Sequence, residues 1–154
     1  MPGKKPTPAQ ADLLLQLYDL RREARLRQAR DWFIKNYHAQ SMEDFNRLCP
    51  PNSEENASFR MVITYWEMVC ALLNCGLLHE DLFFETTGEQ YAVWDRLKSI
   101  LPAFRQMLGD KHALEHLETA ARRYEKWQNK RAPGSLEKRR QMMAQMAAAA
   151  ARRG

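Results

Sequence analysis

Residues 59–84 read FRMVITYWEMVCALLNCGLLHEDLFF, apolar almost throughout but with Glu67 near the middle. A run this long, free of proline and glycine until Gly76, predicts a buried helix over Phe59–Cys75 that Gly76 closes in a left-handed cap. A carboxylate inside such a helix must meet a partner or destabilise the fold. A membrane span fits poorly. It wants about 20 mainly apolar residues, and an acid in mid-helix costs about 2.5–3.5 kcal/mol on insertion. Thr64, Glu67 and Asn74 interrupt the run, and Gly76 stops it where a span would continue. We therefore read the central helix of a soluble core, with no membrane span.

Working outward, Thr7-Pro8-Ala9-Gln10 opens the first helix with a capping threonine, a proline in the first turn and a capping-box glutamine. Leu13, Leu14, Leu17 and Tyr18 follow at helical spacing, the face turns basic from Arg21 to Arg30, and Trp32, Phe33 and Tyr37 restore an apolar stripe. This predicts one kinked helix of about 30 residues. Ser41 with Asp44 caps a short helix through Leu48, Pro50 and Pro51 end it, and Asn52–Asn56 reads as a polar turn. Beyond the central helix come a short helix over His79–Glu85 and a longer one over Glu89–Leu108, bent at Pro102. The last core helix starts at Gly109-Asp110 and runs to about Lys130. Ala132-Pro133-Gly134 is a linker. The tail SLEKRRQMMAQMAAAAARRG is then either an extra helix docked through Met142, Met143 and Met146 or a frayed end.

A chain of 154 residues with only six glycines and no strand-length alternation is expected to be all-α. The predicted architecture is a single-domain bundle over residues 1–131, with about five core helices and a short connector helix. A basic helical extension occupies 132–154. Trp32, Phe33, Trp94, Leu97, Phe104, Leu114 and Leu117 are expected to pack the central helix. Cys49, Cys70 and Cys75 are odd in number, lack metal-ligand spacing, and read as reduced thiols of a cytosolic core. Met1–Leu20 carries Lys4 and Lys5, but Asp12, Gln16 and Asp19 break its apolar run, so it lacks a signal-peptide core. A cytoplasmic location follows as the expectation.

Charge is segregated. Residues 1–40 carry eight Lys/Arg against four acids, 41–90 two against nine, 91–130 eight against five, and the tail six against one. An acidic middle between basic ends favours internal or head-to-tail attraction as much as an external polyanion.

Within Arg60–Arg105, Tyr65-Trp66-Glu67 stands at the middle of an apolar helix, followed by the turn Leu73-Asn74-Cys75-Gly76-Leu77-Leu78 and the acidic helix His79-Glu80-Asp81-Leu82, with Trp94 and Arg105 on the next long helix. In these motifs the stretch resembles an uncharacterised bacterial family of helical domains of unknown function. The resemblance covers about a third of the chain and implies an all-helical domain but no activity. Members sometimes carry membrane segments ahead of this domain, and none is read in this chain.

Glu67 and Arg105 are the residues expected to pair as a structural ion pair, with Arg60 and Arg96 as rival partners. Breaking such a pair typically costs about 3–5 kcal/mol. His112 and His116 stand four apart, a metal half-site without further ligands, so no metal is predicted. No phosphate loop, nucleophile elbow or paired-Asp motif appears, and no catalytic or cofactor-binding residue is assigned. The candidate surface for a polyanion or protein partner comprises Arg21, Arg22, Arg25, Arg122, Arg123, Lys126, Lys138, Arg139 and Arg140, in a chain of pI near 9.3. Two functions are expected in order. The first is a non-enzymatic module for a protein partner or self-association. The second is a nucleic-acid-associated protein using the basic helices and tail.

Overall fold

The computed structural model describes residues 4–154, so Met1–Gly3 of the expected 1–131 domain lie outside the described residues. Among the described residues there are helices and no strands. The helices are α1 (Pro8–Arg21), α2 (Ala24–Asn36), α3 (Met42–Leu48), α4 (Glu54–Asn74), α5 (Glu80–Thr86), α6 (Glu89–Leu97), α7 (Leu101–Leu108), α8 (Glu115–Arg131) and α9 (Ser135–Ala151). The all-α reading is therefore correct.

The axis of the fold is α4, which packs against α2 and α8, with α6 on α8 and α4 and with α9 on α8. Its buried side chains are Phe59, Val62, Ile63, Trp66, Val69, Cys70 and Leu73, a helical stripe. Around its N-terminal half, aromatic rings from four elements meet. Phe33 stacks on Tyr37 at 4.6 Å, Phe45 meets Phe59 edge-on at 4.8 Å, and Phe104 meets Phe59 at 6.1 Å. The C-terminus of α4 ends as expected. Gly76 has φ 78°, its N–H donates to the Leu73 carbonyl, and the Leu77 N–H donates to that of Leu72.

Helix boundaries differ from the sequence expectation at four places, each for a local reason. The first helix is two. The chain breaks at Arg22, and the Glu23 carboxylate accepts from the Arg25 and Leu26 N–H groups at 3.0 and 2.8 Å to start α2. At α4, the Ser53 hydroxyl caps the helix by accepting from Asn56 N–H, so it begins inside the predicted turn. The 89–108 segment opens into a turn over 98–100. Pro102 sits in the first turn of α7, where its missing N–H costs nothing. Finally α8 starts at Glu115, after Leu114 in the left-handed conformation at φ 58°. His112 consequently lies in the turn ahead of α8 and shares no helical face with His116.

Among the described residues no helix is long and apolar enough to cross a membrane.

Candidate functional site

Glu67 and Arg105 each take a partner other than the one expected. The Glu67 carboxylate accepts from the backbone N–H groups of His116 and Leu117 at 3.1 and 2.7 Å. It thereby serves as a remote N-cap for α8, which has no side-chain cap of its own. Arg105 donates to Glu118 at 2.7 Å and to the Ala113 carbonyl at 2.9 Å, tying α7 to the turn before α8. Burial pushes the Glu118 carboxyl up, but hydrogen bonds from Arg122 and Arg105 outweigh it and leave the group below its ordinary value. One rival is engaged elsewhere too. Arg96 donates to the carbonyls of Phe33 and Ile34, whereas Arg60 is exposed on α4.

The polar chain continues past Glu67. Asn74 Nδ2 reaches both the His116 carbonyl and its ring Nδ1, Arg123 donates to Asn74 Oδ1 at 3.0 Å, and the same guanidinium pairs with Glu80. His112 instead contacts Glu115 at 3.0 Å on the surface. His79 caps α5 through Nδ1, which accepts from Leu82 N–H. Among the described residues no three His, Cys, Asp or Glu side chains gather closely enough to share a metal ion. Cys49 and Cys70 are buried and Cys75 is exposed. Burial raises Cys49 to about 11 and Cys70 further, so neither carries a thiolate near neutrality.

The nine candidate surface cations divide sharply. Arg25 pairs with Glu54, Arg122 with Glu118, Arg123 with Glu80 and Arg140 with Asp95, while Arg21 lies 3.9 Å from Glu89. Arg22, Lys126, Lys138 and Arg139 have no carboxylate partner among the described residues. Arg22 lies over the Tyr18 ring, and Arg139 donates to the Tyr124 hydroxyl. Arg21, Arg25 and Arg123 thus face acids of the 41–90 segment.

The tail is a helix, and the methionines are not its anchor. Gly134, at φ 79°, reverses the chain, and Leu136 is buried at 5 % exposure. Arg140 then grips α6: Nε and Nη2 each donate to Asp95 at 3.1 Å, and Nη2 also donates to Tyr91 Oη. The Tyr91 hydroxyl in turn donates to Glu125. Past Arg140 every residue to Gly154 is exposed, Met142 and Met146 by 59 % and 65 %. Neither expected alternative holds as stated: α9 is helical to Ala151, so the end is not frayed, and its docking residues are not the methionines. The first half of α9 is docked, through Leu136 and Arg140, and the second projects with a methionine stripe uncovered.

Burial pushes the Asp95 carboxyl up, yet the hydrogen bonds from Arg140 and Lys98 leave it below its ordinary value. A carboxyl with a depressed folded pKa stabilises fully above its unfolded value and loses that contribution as pH falls through the folded one. The grip on α9 is therefore expected to weaken from about pH 4 downward. Asp95→Asn should flatten that part of the pH–stability profile, followed by thermal melts. At neutral pH the variant should also speed tryptic cleavage at Lys138 and Arg139. Equal acid sensitivity in the two proteins would show that the clamp does not hold the helix.

These features define an all-helical domain in which buried and half-buried polar groups cap and join the helices. The chain belongs to the family described as Domain of unknown function (DUF4760), whose model matches residues 6–127. The matched span ends within α8, so α9 lies beyond it. No curated protein and no solved structure matches the chain.

Proposed function

We propose that this protein is a non-enzymatic interaction module in which the projecting half of α9 carries the contact, with a second copy of the chain as its first occupant. The observation that carries this reading is the anchored helix with an uncovered end. Leu136 and Arg140 fix its direction; beyond them Met143, 41 % exposed, borders Phe33, Ile34 and Val93, while Met142 and Met146 stand uncovered. Isolated helices shorter than about 12–15 residues are marginal in water, so a projecting segment of this kind gains most by packing against another surface. Met142, Met143 and Met146 give it an adaptable apolar face. Residues 132–154 then act as an extension that joins the core of the 1–131 domain only through Leu136 and carries the contact beyond it.

The nucleic-acid reading draws support from the cations without carboxylate partners, but Arg25, Arg122, Arg123 and Arg140 spend their charge internally. Salt separates the two readings. Sedimentation velocity of the full chain should show a monomer–dimer equilibrium that M142E/M146E returns to monomer. Raising salt should change it little, because methionine contacts are not ionic. A protein that stays monomeric while binding mixed-sequence DNA or RNA, with log K falling steeply against log salt, would overturn it in favour of polyanion recognition.

A further inference from the structure

Between α1, α4 and α5 lies a half-open cavity of about 270 Å³. Leu14, Leu17, Val69 and Phe83 form its walls and Trp66 its floor, with Tyr18 and Arg21 at the mouth. Two of the polar side chains on its lining are committed to backbone carbonyls, while the Trp66 Nε1–H is buried without a hydrogen-bond partner among the described residues. The Tyr65 hydroxyl donates to the Leu17 carbonyl at 2.6 Å, and the Thr86 hydroxyl donates to that of Leu82 at 2.8 Å. Among the described residues Arg21 is the one charged group on the lining.

Arg21 has charge to offer. Its nearest carboxylate, Glu89, is taken by Arg30 through both oxygens, Nε to Oε1 at 2.7 Å and Nη2 to Oε2 at 2.5 Å. Arg21 reaches Glu89 only at 3.9 Å, and its guanidinium lies 4.9 Å from the centre of the Tyr18 ring. Two guanidiniums thus share one carboxylate, and the surplus positive charge sits where the apolar slot opens. An apolar body buried in the slot with an anion at its end satisfies both features at once.

We infer that this cavity binds a small amphiphile: an unbranched or aryl apolar body ending in a carboxylate, which Arg21 receives. An engineered cavity of about 150 Å³ accommodates benzene, so this one suits a body of about ten heavy atoms. Medium-chain monocarboxylates match that size and charge. The apolar walls supply most of the affinity, through burial of the chain, and Arg21 supplies the choice of head group.

Octanoate and octan-1-ol, titrated calorimetrically into the full-length protein, test the assignment. Octanoate should bind one to one, and octan-1-ol at least tenfold more weakly. Arg21→Gln should reduce octanoate affinity by a similar factor and leave octan-1-ol unchanged. Leu14→Trp should fill the slot and abolish both. Thr86→Trp, at the exposed rim, is the second blocking variant should Leu14→Trp fail to fold by circular dichroism. The inference falls if acid and alcohol bind equally, if R21Q binds octanoate like the wild type, if a folded blocking variant still binds, or if no saturable heat appears up to roughly 1 mM.

Discussion

Replacing Glu67 by alanine is expected to lower the unfolding free energy by about 3 kcal/mol. The carboxylate accepts two backbone N–H groups at the start of α8, where Leu114 stands in the cap position and supplies none. Alanine leaves those donors part-buried without an acceptor and removes a negative charge from the positive end of a helix. Glu67→Gln keeps one acceptor oxygen and its shape, so about half the loss should return. For a chain of this size each kcal/mol moves the midpoint by about 3 °C, so the alanine variant should melt near 10 °C lower. Hydrogen exchange adds a local readout. The amides of His116 and Leu117 should lose protection in the glutamine variant before the rest of α8 does. A melting point within about 2 °C of the wild type would show that water caps α8 adequately and that the carboxylate is dispensable.

This contact also shows how far a sequence can be read. That Glu67 needed a partner was evident from its place in an apolar helix, but the partner was sought among arginines. The actual donors are backbone N–H groups, which every non-proline residue carries and which no residue type advertises. What exposes them is the left-handed turn at Leu114, a conformation leucine rarely adopts and sequence pattern does not signal. Features that depend only on neighbours within a helical turn were legible. Thr7 with Gln10, Ser41 with Asp44 and Gly76 after α4 all cap as expected. The apolar stripe of α4 was equally plain. The break at Arg22 was not, because glutamate is an uncommon cap and only its geometry at Glu23 reveals one.

The tail shows the same division. Its helical composition was legible, and the methionines were the obvious apolar residues to dock. Instead Leu136 and Arg140 dock, because Tyr91, Asp95 and Glu125 happen to stand opposite them across the α6–α8 surface. Such long-range matches among many charges carry no local mark. The pairing of part of the cation surface has the same origin: acids of the middle segment fold back onto basic residues far away in sequence, and pairs such as Arg123 with Glu80 follow from topology.

Glu89 and Arg30 are the strongest case of such a match, and neither was singled out by sequence. They lie 59 residues apart, form a two-point hydrogen-bonded pair, and are only 15 % and 16 % exposed in their side chains. Hydrogen bonding to Glu89 raises Arg30 above its ordinary value. Removing one member of such a pair strands the other, a loss that typically reaches about 3–5 kcal/mol. Here Glu89→Ala strands Arg30 and also deprives Arg21 of its nearest carboxylate, and it takes an acid from the first turn of α6. A loss of about 3 kcal/mol is therefore expected in urea unfolding. Arg30→Ala should cost less, since Arg21 remains to face the carboxylate. The R30A/E89A double variant should be more stable than the sum of the two losses allows, with a coupling of about 1–2 kcal/mol, because Arg30 is no longer stranded by the loss of Glu89. Strict additivity would mean that water solvates Arg30 as well as Glu89 does. The pair would then be an adornment of the α2–α6 contact rather than one of its supports.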